Sequence, residues 1–330
     1  MSLDTMLGNN PVCQMLGIRY PVFQAGMGHV AYAALAAAVS EAGGMGVIGA
    51  GYMRPDELRA EIRQVRDLTE KPFGVDILFA KVKGPGDSEP RYTDHVKMAV
   101  DIAFEERVPV LVSGLGNPGG ITKDAHDLGI RVMSVIGKVS QARRLAEGGV
   151  DIIVASGRDG GGHVGEVGTA TLVPATVDAI DIPVVAGGGL ADGRGMLAAM
   201  ALGASGIWMG TRFIATFEAR GHENYKKKIV EITEDGTVVT RAHSGKTCRL
   251  VRNDFTEYWE EHADEIEPHP QQLMKVGGPA SILGRIEGDV ENGVLPAGQS
   301  SAMIHGLKPA GDVVRDVIEE ARVLMASWAG

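Results

Sequence analysis

The stretch PVVAGGGLADGRGMLAAMALGASGIWMGTR, residues 183–212, decides the fold. A β-branched run ends in three glycines, an Ala/Leu/Met-rich helical stretch follows, and a second apolar run closes on Gly-Thr-Arg. Strands that are apolar throughout, joined by a helix, belong to a parallel sheet covered by helices. Read outward from here, the same unit recurs along the chain. The strand candidates are YPVFQAG (20–26), MGVIGAG (45–51), FGVDILF (73–79), VPVLVSG (108–114), RVMSVIG (131–137), DIIVASG (151–157), PVVAGGG (183–189) and GIWMGTR (206–212). Helical stretches such as PDELRAEIRQVRDL and SQARRLAEG lie between them. Eight such units predict an α/β fold, a (β/α)8 TIM barrel. The rival, an open doubly wound sheet, lacks a GxGxxG turn after its first strand. The 46 glycines among 330 residues are roughly twice the usual share of ~7% and suit many tight strand-to-helix turns.

After Arg212 the rhythm stops. Residues 219–305 are more charged and read as a mostly helical capping subdomain on the barrel of residues 1–218. The terminal GDVVRDVIEEARVLMASW carries apolar residues at helical spacing, so residues 306–330 are expected to pack back on the barrel. A net charge of −10 gives no basic surface for nucleic acid or an anionic membrane. No apolar run reaches the ~18 residues of a spanning helix. Cys13 and Cys248 are far apart without metal-ligand spacing, no secretory signal is visible, and a cytoplasmic setting is expected. The histidines form no metal-ligand pattern, so no metal site is expected.

Barrel active sites form at the carboxyl ends of the strands. The loop SGRDGGGHVGEVGT (156–169) places His163 directly after Gly160, Gly161 and Gly162, at the end of the sixth strand. Imidazole exchanges protons near neutral pH, which makes His163 the candidate catalytic residue. Gln24, Ala25, Gly26 and Met27 leave the first strand, Asp76 lies on the third and Ser156 ends the sixth. Ala186, Gly187, Gly188 and Gly189 after the seventh strand, with Met209, Gly210 and Thr211 after the eighth, suit a phosphate held by backbone amides and a hydroxyl. His29 and His243 are secondary candidates to touch a substrate. Arg249, Arg252 and Asn253 suit either a substrate anion or structural bonds.

Taken in order, PVFQAGM, AVSEAGGMGVIGAGY, KPFGVD, GGGHVGE, PVVAGGGLADGRGMLAAMALGA and MGTRFIAT resemble the nitronate monooxygenase (2-nitropropane dioxygenase) family. That family includes flavin-type enoyl-acyl-carrier-protein reductases and NAD(P)H:quinone reductases. The resemblance spans residues 20–217 and reappears in RLVRN (249–253) and PAGQSS (296–301). It implies an FMN-containing barrel oxidoreductase with a small-molecule substrate. Gln24 to Met27 would lie along the isoalloxazine and Asp76 at its polar edge. Gly161 and Gly162 would admit backbone amides to the flavin, and Gly187, Gly188, Gly210 and Thr211 would hold the phosphate. His163 matches the family's proton-handling histidine. Two activities follow: oxidation of alkyl nitronates by O2, or NAD(P)H-dependent reduction of enoyl thioesters or quinones, with NAD(P)H as electron donor. The chain departs from the family at Asp76, where GVN is common, at Ser156, where Gln or Glu is common, and at Arg158-Asp159. An ionised Asp76 would disfavour an anionic reduced flavin. A barrel resembling inosine monophosphate dehydrogenase would need a cysteine after the sixth strand, which this loop lacks. The sequence leaves the oligomeric state open, a homodimer among the options.

Overall fold

The computed structural model describes residues 2–79, 81–82 and 91–329. Its centre is a ring of eight parallel strands: β1 (Val22–Gln24), β2 (Gly46–Gly49), β3 (Phe73–Phe79), β4 (Val110–Gly116), β5 (Arg131–Ile136), β6 (Ile152–Ser156), β7 (Val184–Gly187) and β8 (Gly206–Met209). Each pairs with its sequence neighbours, and β8 returns to β1. The remaining seam, between β1 and β2, closes through a bridge at Phe23 and Met45. There the Gln24 amide donates to the Met45 carbonyl and the Met45 amide to Val22, both at 2.9 Å. Seven of the eight strands lie within the stretches that the sequence marked, and β4 runs two residues past its own, to Gly116.

Helices α1 (Ala33–Glu41), α2 (Pro55–Leu68), α3 (Asp94–Glu105), α4 (Thr122–Asp127), α5 (Val139–Glu147), α6 (Thr169–Val177), α7 (Gly193–Ala201) and the four-residue α8 (Thr211–Ile214) follow the strands in turn. Helix α2 shows why: proline opens it, and Leu58, Ile62 and Val65 fall on one buried stripe. The strands are apolar on both faces because both are covered. Val47, Val110, Val112, Ile152, Val154 and Trp208 fill the barrel, while Ile48, Val75, Leu111, Val132, Ile153 and Ile207 meet the helices. Val12, Cys13 and Leu16 of the helix Pro11–Leu16 join the interior cluster, outside the eight strands.

Beyond the barrel lie α9 (Glu223–Glu231), the antiparallel pair β9 (Thr237–Thr240) and β10 (Cys248–Val251), α10 (Asp254–Glu261), and α11 (Gly278–Ile282), which is flanked by π-helical turns at Leu273–Gly277 and Leu283–Glu287. The pair β9–β10 is the non-helical part of this otherwise mostly helical segment. Two four-residue strands offer too little alternation to register as a period. Finally α12 (Ala310–Ala329) packs against α7 and α1, where Glu320 accepts from the Gly193 amide at 2.9 Å.

Candidate active site

The carboxyl ends of the strands enclose a hollow of about 220 Å³. That exceeds tenfold the ~15 Å³ that one water needs, so it is ligand-sized rather than a packing fault. Ala25, Gly26, Met27, Asp76, Ser156, Gly161, Gly162, His163, Gly188, Gly189, Met209, Gly210 and Thr211 all line it.

Three of the residues expected there lie elsewhere. Gln24 is fully buried, and its side chain bonds both backbone groups of Val47: Nε2 donates to the carbonyl (3.0 Å) and Oε1 accepts from the amide (3.1 Å). It extends the β1–β2 seam with a side chain instead of facing a ligand. Ala186 lines a smaller recess behind Gly188 and Gly189. The Gly187 carbonyl accepts from the Gly157 amide at 2.9 Å and from Thr169 Oγ1. Gln24 ends β1 but its side chain is turned to the neighbouring strand, Gly187 ends β7 with its carbonyl held by the histidine loop, and Ala186 precedes it.

The glycines earn their places differently. Gly188 has φ +96°, and a Cβ there would stand 2.8 Å from Thr169 Oγ1 and 2.9 Å from the Gly157 carbonyl. At Gly161 a Cβ would collide with the Ala297–Gly298 backbone at 2.6–2.7 Å. The glycine run thus lets the PAGQSS segment pass behind the loop. That segment delivers Ser300 to the hollow, and the Gly298 amide donates to Thr211 Oγ1 at 2.9 Å. Asp159, one of the departures in this loop, accepts from the Thr169 amide at 2.9 Å at the start of α6.

Gly162 and His163 form a two-residue strand paired antiparallel with β10, His163 opposite Cys248. The segment after the barrel therefore pins the histidine loop. The His163 Nε2 lies 2.8 Å from the hydroxyl of fully buried Ser244. Its Nδ1 has no hydrogen-bond partner among the described residues and is not among the enclosed unpaired atoms. Burial, then the nearby charges of Lys246, His269 and Arg285, lowers the imidazole to about 4, so it is neutral at physiological pH.

His243 also lines the hollow, its ring 5.9 Å from that of His163, with Nδ1 buried and unpaired. His29 instead stacks on Tyr52 at 4.5 Å and lies outside the lining.

Asp76 lies between Gly26 and Gly114, with no room for a Cβ on either, and accepts from the Gly114 amide at 2.7 Å. Burial pushes its carboxyl up to about 8 against this one stabilising bond. At neutral pH it is a carboxylic acid and a hydrogen-bond donor, not the anion considered from sequence.

Arg285, which no local pattern singles out, lines the hollow from a π-helical turn and is 6% exposed. Its guanidinium bonds the carbonyls of Val294 (3.2 Å) and Gly28 (3.3 Å) and the hydroxyl of Ser281 (3.2 Å). It has no carboxylate partner among the described residues. Arg249 and Asn253 resolve to structural roles. Arg249 donates to the Arg158 carbonyl and Thr237 Oγ1, both at 3.0 Å. Asn253 caps α10 and donates to the carbonyls of Val290 and Gly293. Cys13 and Cys248 are buried free thiols, both pushed up to about 12 by burial. Among the described residues no cluster of His, Cys, Asp or Glu could hold a metal ion, and no helix is long and apolar enough to cross a membrane.

A parallel barrel whose strand ends and closing segment converge on one neutral imidazole defines an enzyme of the (β/α)8 barrel class. The chain belongs to the nitronate monooxygenase family, whose model matches residues 9–320. It is 33% identical to a probable nitronate monooxygenase of Staphylococcus aureus (strain MSSA476), over 97% of this chain and 99% of that protein. Among solved structures, FabK from Thermotoga maritima superposes with a TM-score of 0.88 at 38% identity, covering 98% of this chain and 99% of that one. A nitroalkane oxidase from Streptomyces ansochromogenes gives a TM-score of 0.87 at 27% identity, covering 96% and 99%. The protein is therefore an oxidoreductase of a flavin-dependent family.

Proposed function

We propose that the protein is an FMN-dependent nitronate monooxygenase, converting alkyl nitronates and O2 to carbonyl compounds and nitrite. One observation carries this reading: a neutral imidazole, His163, and a guanidinium without a carboxylate partner, Arg285, line the same hollow. A base beside a fixed positive charge suits a neutral nitroalkane that must lose a proton from carbon to become the nitronate, and the same charge holds a nitronate taken up as such.

The residues present fit the flavin. Gly188 and Gly189, Gly210, and the hydroxyls of Thr211 and Ser300 would hold the phosphate, where side chains are absent or end in a donor. Asp76, protonated, would donate to an acceptor at the polar edge of the ring. FMN when bound supplies the electron-transfer chemistry.

The protein's own contribution is position and proton handling. Where Nε2–H donates to the Ser244 hydroxyl, the bare Nδ1 of His163 is the atom that takes the proton. An imidazole near pKa 4 is a weak base alone, but a nitronate forming beside it raises its proton affinity. Arg285 stabilises the charge that develops on the nitro oxygens.

Anaerobic mixing tests the reading. A nitronate is expected to bleach the flavin absorbance near 450 nm, while NADH or NADPH does so slowly or not at all. Rapid bleaching by a nicotinamide donor, without bleaching by nitronates, overturns it in favour of a reductase of enoyl thioesters or quinones. A second groove opening beside His163, lined by unpaired cations, is the observation that favours this second reading, since it suits a long anionic reactant.

A further inference from the structure

Among the described residues, four buried side-chain atoms lack a hydrogen-bond partner: His95 Nε2, Ser134 Oγ, Arg212 Nε and His243 Nδ1. Of these residues only His243 lines the hollow. It is 3% exposed, and its Nε2 has no partner among the described residues either, although that atom is not enclosed. Such a ring needs an explanation, since a polar group buried without a bond has given up water and gained nothing in return.

The surrounding backbone fixes where the two nitrogens stand. His243 sits on the turn between β9 and β10. The Ala242 carbonyl accepts from Nε2 of buried Gln272 at 2.8 Å, and the Gly245 amide donates to the Arg241 carbonyl at 2.8 Å, so the turn is pinned on both sides of the ring. The π-helical turn Leu273–Gly277 closes over it. A Cβ on Gly277 would stand 1.7 Å from the His243 carbonyl oxygen and 2.7 Å from Nδ1, so only glycine lets the backbone lie against that nitrogen. Nδ1 is thus shut in without an acceptor, while Nε2, on the other edge of the ring, is left to the hollow.

This asymmetry selects the tautomer. A proton on Nδ1 would be an enclosed donor with no acceptor, which folded proteins seldom leave, whereas a bare Nδ1 is only an unfilled lone pair. A proton on Nε2 can meet a ligand. Burial, then the charge of Arg285 and the fields of His163 and His269, holds the imidazole well below its usual range, so it is neutral at physiological pH. Its ring centroid lies 5.9 Å from that of His163, close enough for both rings to meet one small molecule.

We propose that His243 is a second catalytic histidine, whose Nε2–H donates to the substrate oxygen on which negative charge gathers as His163 takes the proton from carbon. The role rests on the proposed function and deepens it by assigning the other imidazole in the hollow. In that step the C–H bond breaks and the proton goes to His163. The electron pair moves into a C=N bond, charge settles on the nitro oxygens, and the His243 N–H bond stays intact. Arg285 and His243 meet those oxygens as one charged and one neutral donor. A ring already locked by its turn needs no reorganisation as the charge develops.

Nitrogen-15 NMR of the histidine-labelled, FMN-loaded protein reads the tautomer directly, with the His243 signals assigned by their loss in His243→Gln. The expected pattern is the neutral Nε2–H form at neutral and at mildly acid pH. An Nδ1–H form, or protonation at mildly acid pH, overturns the assignment. Kinetics supply the second arm. With a neutral nitroalkane, His243→Phe, which keeps a ring but no donor, should lower kcat about 10²-fold, because the lost donor acts where charge develops. With the matching nitronate, whose charge is already present, the same variant should chiefly raise KM, by about tenfold. His243→Gln, which restores a donor amide, should recover part of both losses. Unchanged kinetics in His243→Phe, or equal losses in the two variants, makes His243 a packing residue and overturns the role. A fall in melting temperature or FMN retention without the split between kcat and KM has the same meaning. Failure of the monooxygenase reading appears separately, as absent flavin bleaching by nitronates in a protein that keeps the Nε2–H tautomer.

Discussion

Two regions meet at the hollow and build it by different means. The barrel contributes strand ends: Gly26, Ser156, Gly188 and Gly210 sit at the end of a strand or just past it, and Asp76 lies within β3. Their positions follow from the eightfold repeat. The segment after Arg212 contributes Ser244 from a turn, Arg285 from a π-helical turn and Ser300 from a 3-10 turn, none of them placed by a repeating pattern. On the proposed function the barrel holds the ligand and presents the imidazole, while the later segment sets the charge and the depth of burial around it. A repeated fold can fix where chemistry happens, and the irregular segment then adjusts how the reacting groups behave.

That division can be broken by substitution. The largest effect is expected at His163→Ala, which should keep FMN, read as visible absorbance after gel filtration, and lose about 10²–10⁴-fold in turnover. A variant that sheds flavin but regains activity on reconstitution would move His163 out of the chemistry. Next comes Gly188→Ala, also on the barrel. Its φ of +96° and the blocked Cβ position should cost about 2 kcal/mol, read as a fall in melting temperature, and should weaken FMN retention.

From the later segment, Ser244→Ala should leave FMN affinity intact and lower kcat about tenfold, because the ring loses the bond that orients it. Ser244→Thr, which keeps the hydroxyl, should recover part of the loss. Equal damage from Ser244→Ala and His163→Ala would mean that the two regions do not divide the work as stated.

The smallest effects are in pH dependence. Turnover of a neutral nitroalkane should hold at mildly acid pH and fall only as pH approaches about 4, where His163 becomes protonated. For Asp76 the sign is opposite to that of an ion-paired carboxylate. The folded protein keeps a proton that the unfolded chain releases near its ordinary value of 3.8, so the stability from this group is fully present below that value. It is lost as pH rises toward about 8. Melting temperatures of the flavin-free protein should therefore decline across this window, and Asp76→Asn should flatten the decline. An unchanged slope in Asp76→Asn would show that Asp76 is already ionised.

Much of this was legible in the sequence, for reasons that differ by residue. The barrel was readable because buried parallel strands must be apolar throughout and their helices must carry one apolar stripe, as in α2. Gly188 and His163 were readable because a glycine run at a strand end marks close approach. Gln24 was misread because a polar residue at a strand end looks like a ligand contact, and only the paired β1 and β2 reveal that its amide closes the seam. Arg285 was invisible because a lone arginine in LGRIEG has no local pattern.

The sequence by itself determined the eightfold parallel barrel and the mouth at which His163 stands, which follow from periodicity and turn chemistry along the chain, and its motifs carried the family resemblance. Only the tertiary structure decided that Asp76 is a neutral acid, that Ser244 bonds His163, and that Arg285 lines the same hollow without a carboxylate. Charge state and partner depend on desolvation and on distances between segments as far apart in the chain as Gly28 and Arg285, 257 residues, and no local pattern encodes those.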